Sequence, residues 1–313
     1  MDLLFVIDAP ESLKAYKDTS VAMMRAAQKR GHAVWVCEQE SLHWKQDGAS
    51  AAALRISLTD NDEDWYRPHE SVTRPLPEFG ATLMRKDPPF DLEYVVSTWL
   101  LSAAVRDGAR VFNAPDAIRD HNEKLAIGEF AQFTAPTLVS REAARIQAFI
   151  DEHRDVVVKR LDVMGGENVF RVRHDDPNRN VIIETISQAG RRTVMAQRFI
   201  PEIKDGDKRV ILIDGKLVPH CLARIPKAGE SRGNLAAGAR GVAQPITKRH
   251  REIGEALGPV LARRGLLLVG LDVIGDWLTE VNVTSPTGFR EIQDQTGFDV
   301  AGMFLEAVER NLR

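Results

Sequence analysis

The sequence has little of what marks several protein classes. Only two cysteines, Cys37 and Cys221, occur in 313 residues, far apart and outside any C-x-x-C spacing. Neither a disulfide framework nor a cysteine zinc site is therefore expected. Long apolar runs are missing: the N-terminus reads Met1-Asp-Leu-Leu-Phe-Val-Ile-Asp8, with acids on both sides of a short apolar stretch. A signal peptide needs a basic start and a longer apolar region, and a bilayer span needs about 20 apolar residues. The expectation is a soluble, cytoplasmic protein with no membrane partner. An excess of one charge is also absent. Lys plus Arg total 42 against 45 Asp plus Glu, a net charge of -3, so the basic stripe of a nucleic-acid binder is lacking and no nucleic-acid partner is expected. What is present is ordinary globular composition, 43% apolar and 28% charged, in a chain longer than one core usually holds. Two or three domains are expected.

The hydrophobic pattern divides the chain. Residues 3–7 read as a buried strand bounded by Asp8-Ala-Pro10. Asp18-Thr-Ser20 offers N-cap chemistry to a helix over 21–30, closed by Gly31. Further strands are predicted over 33–37, 81–84 and 110–112, with a helix over 92–106, and this alternation implies a largely parallel sheet. Residues 61–77 are polar and proline-bearing and read as loop. In the middle, Asn122-Glu-Lys-Leu125 opens a short helix, 140–153 reads as another, and 156–159 and 192–200 read as strands. From 208 the pattern turns antiparallel: 209–213 and 216–218 flank Asp214-Gly215, a strong hairpin signal. A helix over 247–264, a buried strand over 266–271, a second hairpin at Gly275-Asp276 and a closing helix complete the pattern. The joints fall near 121 and 200, giving domains 1–121, 122–200 and 201–313 of mixed α/β class.

Three features carry chemistry. Asp272, Glu280 and Asn282 offer two carboxylates and an amide oxygen, a set that suits magnesium completed by substrate phosphates. Glu280 and Asn282 share a strand face, and Asp272 joins them only through an odd-numbered turn or a bulge. Acids on a solvated hairpin are the competing reading, but the apolar strand at 266–271 marks a central position where acids need a reason. Second, Lys159 precedes a turn with paired glycines, Gly165 and Gly166, which with Lys124 can surround phosphates; a surface lysine before an ordinary turn is the alternative, and no Walker A sequence occurs. Third, residues 226–241 form a long glycine-rich segment carrying Arg232 and Arg240, which reads equally as a mobile surface loop or as a lid. In addition, Arg85 and Lys86 follow the strand at 81–84, where open α/β sheets bind ligands, and suit a carboxylate.

Over essentially its full length the sequence resembles the bacterial glutathione synthetases of the ATP-grasp superfamily. The matching segments include Met84-Arg-Lys-Asp-Pro-Pro-Phe-Asp91, Asn122-Glu-Lys-Leu125, Ile203-Lys-Asp-Gly-Asp-Lys-Arg-Val210, Leu222-Ala-Arg-Ile-Pro226, Arg232-Gly-Asn-Leu-Ala-Ala-Gly238, Gly270-Leu-Asp-Val-Ile-Gly275 and Thr279-Glu-Val-Asn-Val-Thr-Ser-Pro286. The resemblance implies an ATP-grasp fold preceded by an N-terminal parallel-sheet α/β domain, with ATP between the last two domains. It implies that Lys124 and Lys159 contact phosphates, that Gln197, Arg198, Phe199 and Ile200 form a hinge strand beside adenine, and that Asp207 lies near the ribose. Asp272, Glu280 and Asn282 would hold two Mg2+ ions, with Mn2+ as a substitute. Arg209, Arg224, Asn282, Ser285 and Pro286 would face the peptide and glycine, under a lid at 226–241 that carries Arg232.

The implied reaction joins γ-glutamylcysteine to glycine through an acyl phosphate, with ATP becoming ADP and phosphate. Arg209 would stabilise the oxyanion, and the resemblance implies a homotetramer. Three departures from the family pattern stand out: Val163 and Arg160 in the phosphate loop, and Ala239 in the lid. A left-handed backbone at Val163 would cost on the order of 1–2 kcal/mol. On these departures rests the competing reading, a weakly active or non-catalytic nucleotide- or peptide-binding relative.

Overall fold

Short buried apolar runs alternate with capped helices in the first third of the chain, whose strands and helices are β1 (Asp2–Ile7), α1 (Thr19–Lys29), β2 (Ala33–Glu38), β3 (Leu42–Lys45), β4 (Gly48–Leu58), β5 (Tyr66–Pro75), β6 (Ala81–Met84), α2 (Leu92–Arg106), β7 (Val111–Phe112) and α3 (Pro115–Asp120). The computed structural model describes residues 1–313 except 164, 228, 230–232, 234, 236 and 237. α1 starts where Asp18 accepts the Val21 N–H, as the capping signal requires. The sheet runs β3-β4-β2-β1-β6-β7, with β5 added to β4. β1 pairs in parallel with β2 and β6, so the carboxyl ends of β1 and β6 open on one side.

One expectation fails here. Residues 61–77 are not a loop throughout, because the ten-residue β5 pairs antiparallel with β4 across one register shift. β5 pairs with β4 alone and is mostly exposed, so no apolar alternation betrays it. Pro68 and Pro75 are tolerated on such an edge, where a missing N–H costs no ladder bond.

The central unit is an antiparallel sheet, β10-β9-β11-β8, built from β8 (Thr137–Ser140), β9 (Asp155–Arg160), β10 (Val169–Arg173) and β11 (Val194–Arg198). Its helices α4 (Ala143–His153) and α5 (Arg179–Ile186) cover one face, where Ile146, Ile150, Val156, Val158 and Ile183 form a small core. Strand alternation then turns Val157 and Lys159 to the other face.

The C-terminal unit is a second antiparallel sheet, β14-β13-β12-β15-β16, from β12 (Asp207–Ile213), β13 (Lys216–Ile225), β14 (Arg240–Pro245), β15 (Leu268–Ile274) and β16 (Trp277–Asn282), with α6 (Lys248–Arg263) behind it. Asp214 and Gly215 both have positive φ, 52° and 72°, the primed turn that matches strand twist. α6 rests directly on this turn: a Cβ on Gly258 would lie 2.2 Å from the Gly215 carbonyl oxygen. Val210, Leu212, Leu271 and Val273 pack beneath α6. The opposite residues of β12, Ile211 and Ile213, join the core of the N-terminal unit. α7 (Phe289–Thr296) and α8 (Val300–Asn311) complete that shared core against α1. Among the described residues, no helix is long and apolar enough to cross a membrane.

The α1–α8 contact carries a testable ion cluster. Glu309 accepts from Arg30 at 2.8 and 2.7 Å and meets His32 at 2.8 Å. The Arg30 hydrogen bonds outweigh burial, and with His32 they pull the Glu309 carboxyl from 4.5 to about 2. A carboxyl depressed in the folded state stabilises above its unfolded value and loses that contribution as pH falls towards the folded one. Glu309→Gln is expected to cost about 1 kcal/mol at neutral pH, given partial solvent screening. The deficit should shrink between about pH 4.5 and 2. Urea unfolding checks this, and a deficit that stays constant on acidification contradicts the assignment.

Candidate active site

The two sheets face each other across a cleft of about 500 Å³, and its far end is closed by the carboxyl-end loops of the N-terminal sheet. One wall comes from the central unit. Lys159, near the end of β9, and Lys124, at the entry to a short helical segment (Leu125–Phe133), are both buried, at 6% exposure. Their Nζ atoms lie 3.5 and 3.8 Å from Glu280 Oε1 across the cleft. Lys124 also donates to the Val163 carbonyl at 2.6 Å. Burial lowers the Lys159 pKa, Glu280 opposes that, and the nearby Lys124 adds to it.

The facing wall depends on one irregularity. Asp272 stands opposite Glu280 and Gly270 opposite Asn282, with a register shift between Asp272 and Val273. The turn itself is short, since Ile274 pairs with Trp277. The bulge, and not an odd-numbered turn, therefore brings all three candidate ligands to one face. Its physical cause is visible in the core: Leu278 and Val281 both pack beneath α6, which strict alternation forbids for residues three apart. The extra residue, Thr279, donates its hydroxyl to the Asp272 carbonyl at 3.1 Å, and its own carbonyl accepts from Lys159 at 3.4 Å.

Beside the acids, lining the same cleft, sits a guanidinium pair set by strand register. Arg209 stands opposite Asp272, and Asp207 opposite Arg224. Arg209 donates to Asp272 at 2.6 and 3.1 Å, and Arg224 reaches Asp272 at 2.9 Å and Asp207 at 2.5 Å. Gly270 makes room for this: a Cβ there would stand 2.8 Å from Arg209 Cδ. Burial would raise the Asp272 carboxyl, but Arg209 and Arg224 together hold it well below the usual carboxylate range. For Asp207, burial pushes the carboxyl up, Arg224 pulls against it, and the charges of Asp272 and Glu280 push it further up. Glu280 is depressed because Lys124 and Lys159 outweigh its burial.

The other predicted residues are distributed unevenly. Gln197, Arg198, Phe199 and Ile200 line the cleft where β11 leaves the central sheet, with the Gln197 amide donating to Thr137 at 3.0 Å. Gly165 and Gly166 line it too, at φ 68° and 82°. Val163 does not adopt a left-handed conformation, so the strain considered from the sequence is not incurred. Arg160 is turned to Asp162, at 2.9 and 2.7 Å. Ser285 and Pro286 line the far end. Arg85 and Lys86 do not join the cleft lining. Arg85 is buried between Ser20, at 3.1 Å, and the Pro286 carbonyl, at 3.0 Å, while Lys86 pairs with Asp8 at 2.7 Å. Residues 226–239 connect β13 to β14, and Arg240 and Gly241, read from the sequence as the end of the loop, instead pair with Ile225 and Arg224 as the start of β14. Arg232 lies outside the described residues.

Sequence reasoning missed the loop after β1, whose Asp8, Ser12, Lys14, Lys17 and Asp18 line the far end with Asp87 and Glu291. The rule that ligands gather at strand carboxyl ends could have found it, since residues 3–7 were legible as a strand. It also missed Glu123, which lines the cleft and accepts three hydrogen bonds from Val283 and Thr284.

The donor set fits a magnesium nucleotide. Asp207 Oδ1 is buried with no hydrogen-bond partner among the described residues, and it faces the same cleft as the two lysines. Among the described residues no group of three or more His, Cys, Asp or Glu side chains is placed to hold a metal ion by itself. Asp272, Glu280 and the Asn282 amide are therefore a sparse oxygen set that needs phosphate oxygens and water to complete a shell, as magnesium prefers. Asn282 Nδ2 donates to the Gly270 carbonyl at 3.1 Å, which leaves Oδ1 as its ligand atom.

Two family descriptions match the chain: the prokaryotic glutathione synthetase N-terminal domain over residues 1–119 and the ATP-grasp domain of the same family over 123–297. A glutathione synthetase of Ralstonia nicotianae is 57% identical over 310 residues, 99% of this chain and 96% of that one. The one from Nitrosomonas europaea is 54% identical over 315 residues, 100% and 98% of the two chains. Among solved structures, a D-cycloserine synthetase superposes with a TM-score of 0.69 over 100% of both chains at 16% identity. A RimK-domain ATP-grasp protein from Sphaerobacter thermophilus gives 0.64 at 20% identity, over 99% and 100% of the two chains. These two likenesses concern the fold.

Proposed function

The chain belongs to the prokaryotic glutathione synthetase family and is an ATP-dependent ligase; from that premise we propose how its residues join γ-glutamylcysteine to glycine. The observation that carries the reading is Glu280 lying 3.5 and 3.8 Å from two buried ammonium groups of the opposing lobe, in one cleft with Asp272 and Asn282. Such a juxtaposition of cations and oxygen ligands suits a polyphosphate and its counterions.

A carboxylate is too poor an electrophile to take an amine, so the peptide's cysteinyl carboxylate first accepts the γ-phosphoryl group of ATP. The glycine amine then attacks the acyl phosphate, and phosphate leaves. Lys124 and Lys159, with the backbone at Gly165 and Gly166, hold the phosphates. Residues 197–200 border the adenine, and Asp207 takes the ribose side. Two magnesium ions, or manganese in their place, would be held by Asp272, Glu280 and Asn282 and would offset charge on the transferring phosphoryl group. Arg209 and Arg224 face the reacting carboxylate, and Arg209 stabilises the oxyanion of the tetrahedral intermediate. Ser285 and Pro286 shape the peptide end, with Arg85 fixing their turn from beneath. By the family resemblance, the segment between β13 and β14 would serve as a lid that keeps water from the acyl phosphate. Holding the reactants in register can supply ~7–11 kcal/mol of the barrier. A cytoplasmic homotetramer completes the proposal, and light scattering tests the assembly.

Incubation with ATP, magnesium, γ-glutamylcysteine and glycine is expected to give the tripeptide by mass, with phosphate release requiring both substrates. Phosphate release indifferent to glycine, or no tripeptide, would overturn the reading.

A further inference from the structure

β16 is the last strand of its sheet and pairs with β15 on one side only. Outward N–H groups on such an edge need partners from elsewhere. Glu123 supplies one for Val281 of β16 and takes the N–H groups of the two residues that follow the strand, Val283 and Thr284. The Glu123 carbonyl accepts from the Val281 N–H at 2.8 Å. Its carboxylate Oε1 accepts from the Val283 N–H at 2.9 Å, the Thr284 N–H at 3.0 Å and the Thr284 hydroxyl at 2.8 Å. Hydrogen bonds to an ionised carboxylate are the stronger kind.

The placement matters because of the neighbours. Val281 lies between Glu280 and Asn282, and Glu123 directly precedes Lys124. On the other flank, Asn122 Oδ1 accepts the N–H groups of Lys124 and Leu125 at 3.2 and 2.9 Å, while its Nδ2 donates to the Leu161 carbonyl at 3.0 Å. Residues 122–124 are thus tied at once to the strand bearing the acids and to the loop bearing Val163.

We propose that Glu123 is a positioning residue: by clamping the β16 edge it fixes the gap between the Lys124 and Lys159 ammoniums and the oxygens of Glu280 and Asn282. It acts through the strand backbone and not by touching substrate. The inference rests on the ligase reading for the reaction concerned, while its effect on nucleotide affinity does not. A displacement of about 1 Å at such a site can cost roughly 100-fold in rate.

The test compares Glu123→Ala, Glu123→Gln and Thr284→Val in the full chain. It reads kcat, KM for each substrate, affinity for magnesium ADP by calorimetry without peptide or glycine, and the melting temperature. Glu123→Ala is expected to lower kcat roughly 100-fold and weaken ADP binding, with KM for peptide and glycine nearly unchanged. Glu123→Gln keeps an acceptor oxygen and should recover most of the rate. Thr284→Val removes one donor and should fall between them at an unchanged melting temperature. Three results overturn the proposal: a Glu123→Ala rate close to the parent's, a loss confined to KM for the peptide, or a Glu123→Gln defect equal to that of alanine. Should Glu123→Ala not fold, Thr284→Val decides, and parental kcat and ADP affinity in it would end the proposal. A parent chain that makes no tripeptide sinks the ligase reading instead, and ADP affinity across the variants still judges Glu123.

Discussion

Glu280→Gln is expected to reduce turnover by ~10³-fold while leaving the fold intact. The effect follows from an asymmetry of burial. The Lys124 and Lys159 side chains are each 7% exposed, whereas Glu280 is 24% exposed and stands at the cleft surface. Its backbone is held by β15 and by the Glu123 clamp at Val281, so an isosteric amide has nowhere else to go. What disappears is the negative charge that balances two ammonium groups and, in the proposed reaction, one of the groups that would hold the metal. Two buried like charges then face each other with reduced compensation, an arrangement that disfavours the pre-organised site more than the rest of the molecule. In the proposed reaction Glu280 would help hold the metal that offsets transition-state charge, and losing one such stabilising contribution typically costs 10²–10³-fold. Phosphate-release assays at saturating substrates measure the loss, with circular dichroism confirming the fold. Turnover within tenfold of the parent would remove Glu280 from the machinery.

The acid set shows where a sequence stops being sufficient. Periodicity puts Glu280 and Asn282 on one face from the sequence alone, but Asp272 had two routes to the same face, an odd-numbered turn or a bulge. The choice is made by Leu278 and Val281, which both need the core beneath α6, and a core is a property of the assembled unit. Local signals were readable for the same reason that they are local: the Asp18 cap, the Asp214-Gly215 turn and the strand of residues 3–7 depend on neighbours in the chain. β5 was not readable, because an exposed edge strand buries too little to leave a period. Arg85 shows the limit of residue type as evidence. A guanidinium after a parallel strand suits a ligand carboxylate, yet here it satisfies the Pro286 carbonyl and Ser20 beneath the cleft wall. Glu123 was invisible because it holds Val283 and Thr284, just beyond β16 and 160 and 161 residues along the chain.

Asp272→Asn should behave differently from Glu280→Gln, losing stability along with rate. Asp272 is 3% exposed and takes guanidinium contacts from Arg209 at 2.6 and 3.1 Å and from Arg224 at 2.9 Å. Removing one charge from a buried ion network leaves the others uncompensated, which typically costs 3–5 kcal/mol. The amide keeps the shape and one acceptor, so a loss of about 3 kcal/mol is expected. The two arginines are not hurt equally: Arg224 keeps Asp207 at 2.5 Å, whereas Arg209 loses its ion-pair partner. The stranded charge is therefore Arg209. Adding Arg209→Met to Asp272→Asn should restore part of the stability, while activity, which needs both groups, stays abolished. The pH dependence follows from the same pair. Because the folded Asp272 carboxyl is depressed below 3.8, its contribution is present above that value and lost only as pH falls beneath it, so the deficit of the asparagine variant should be constant through neutral and mildly acidic pH. Urea denaturation of the single and double variants measures both effects. A double variant no more stable than the single one would mean that Arg209 is not the uncompensated charge, and that the guanidinium pair is held by contacts other than Asp272.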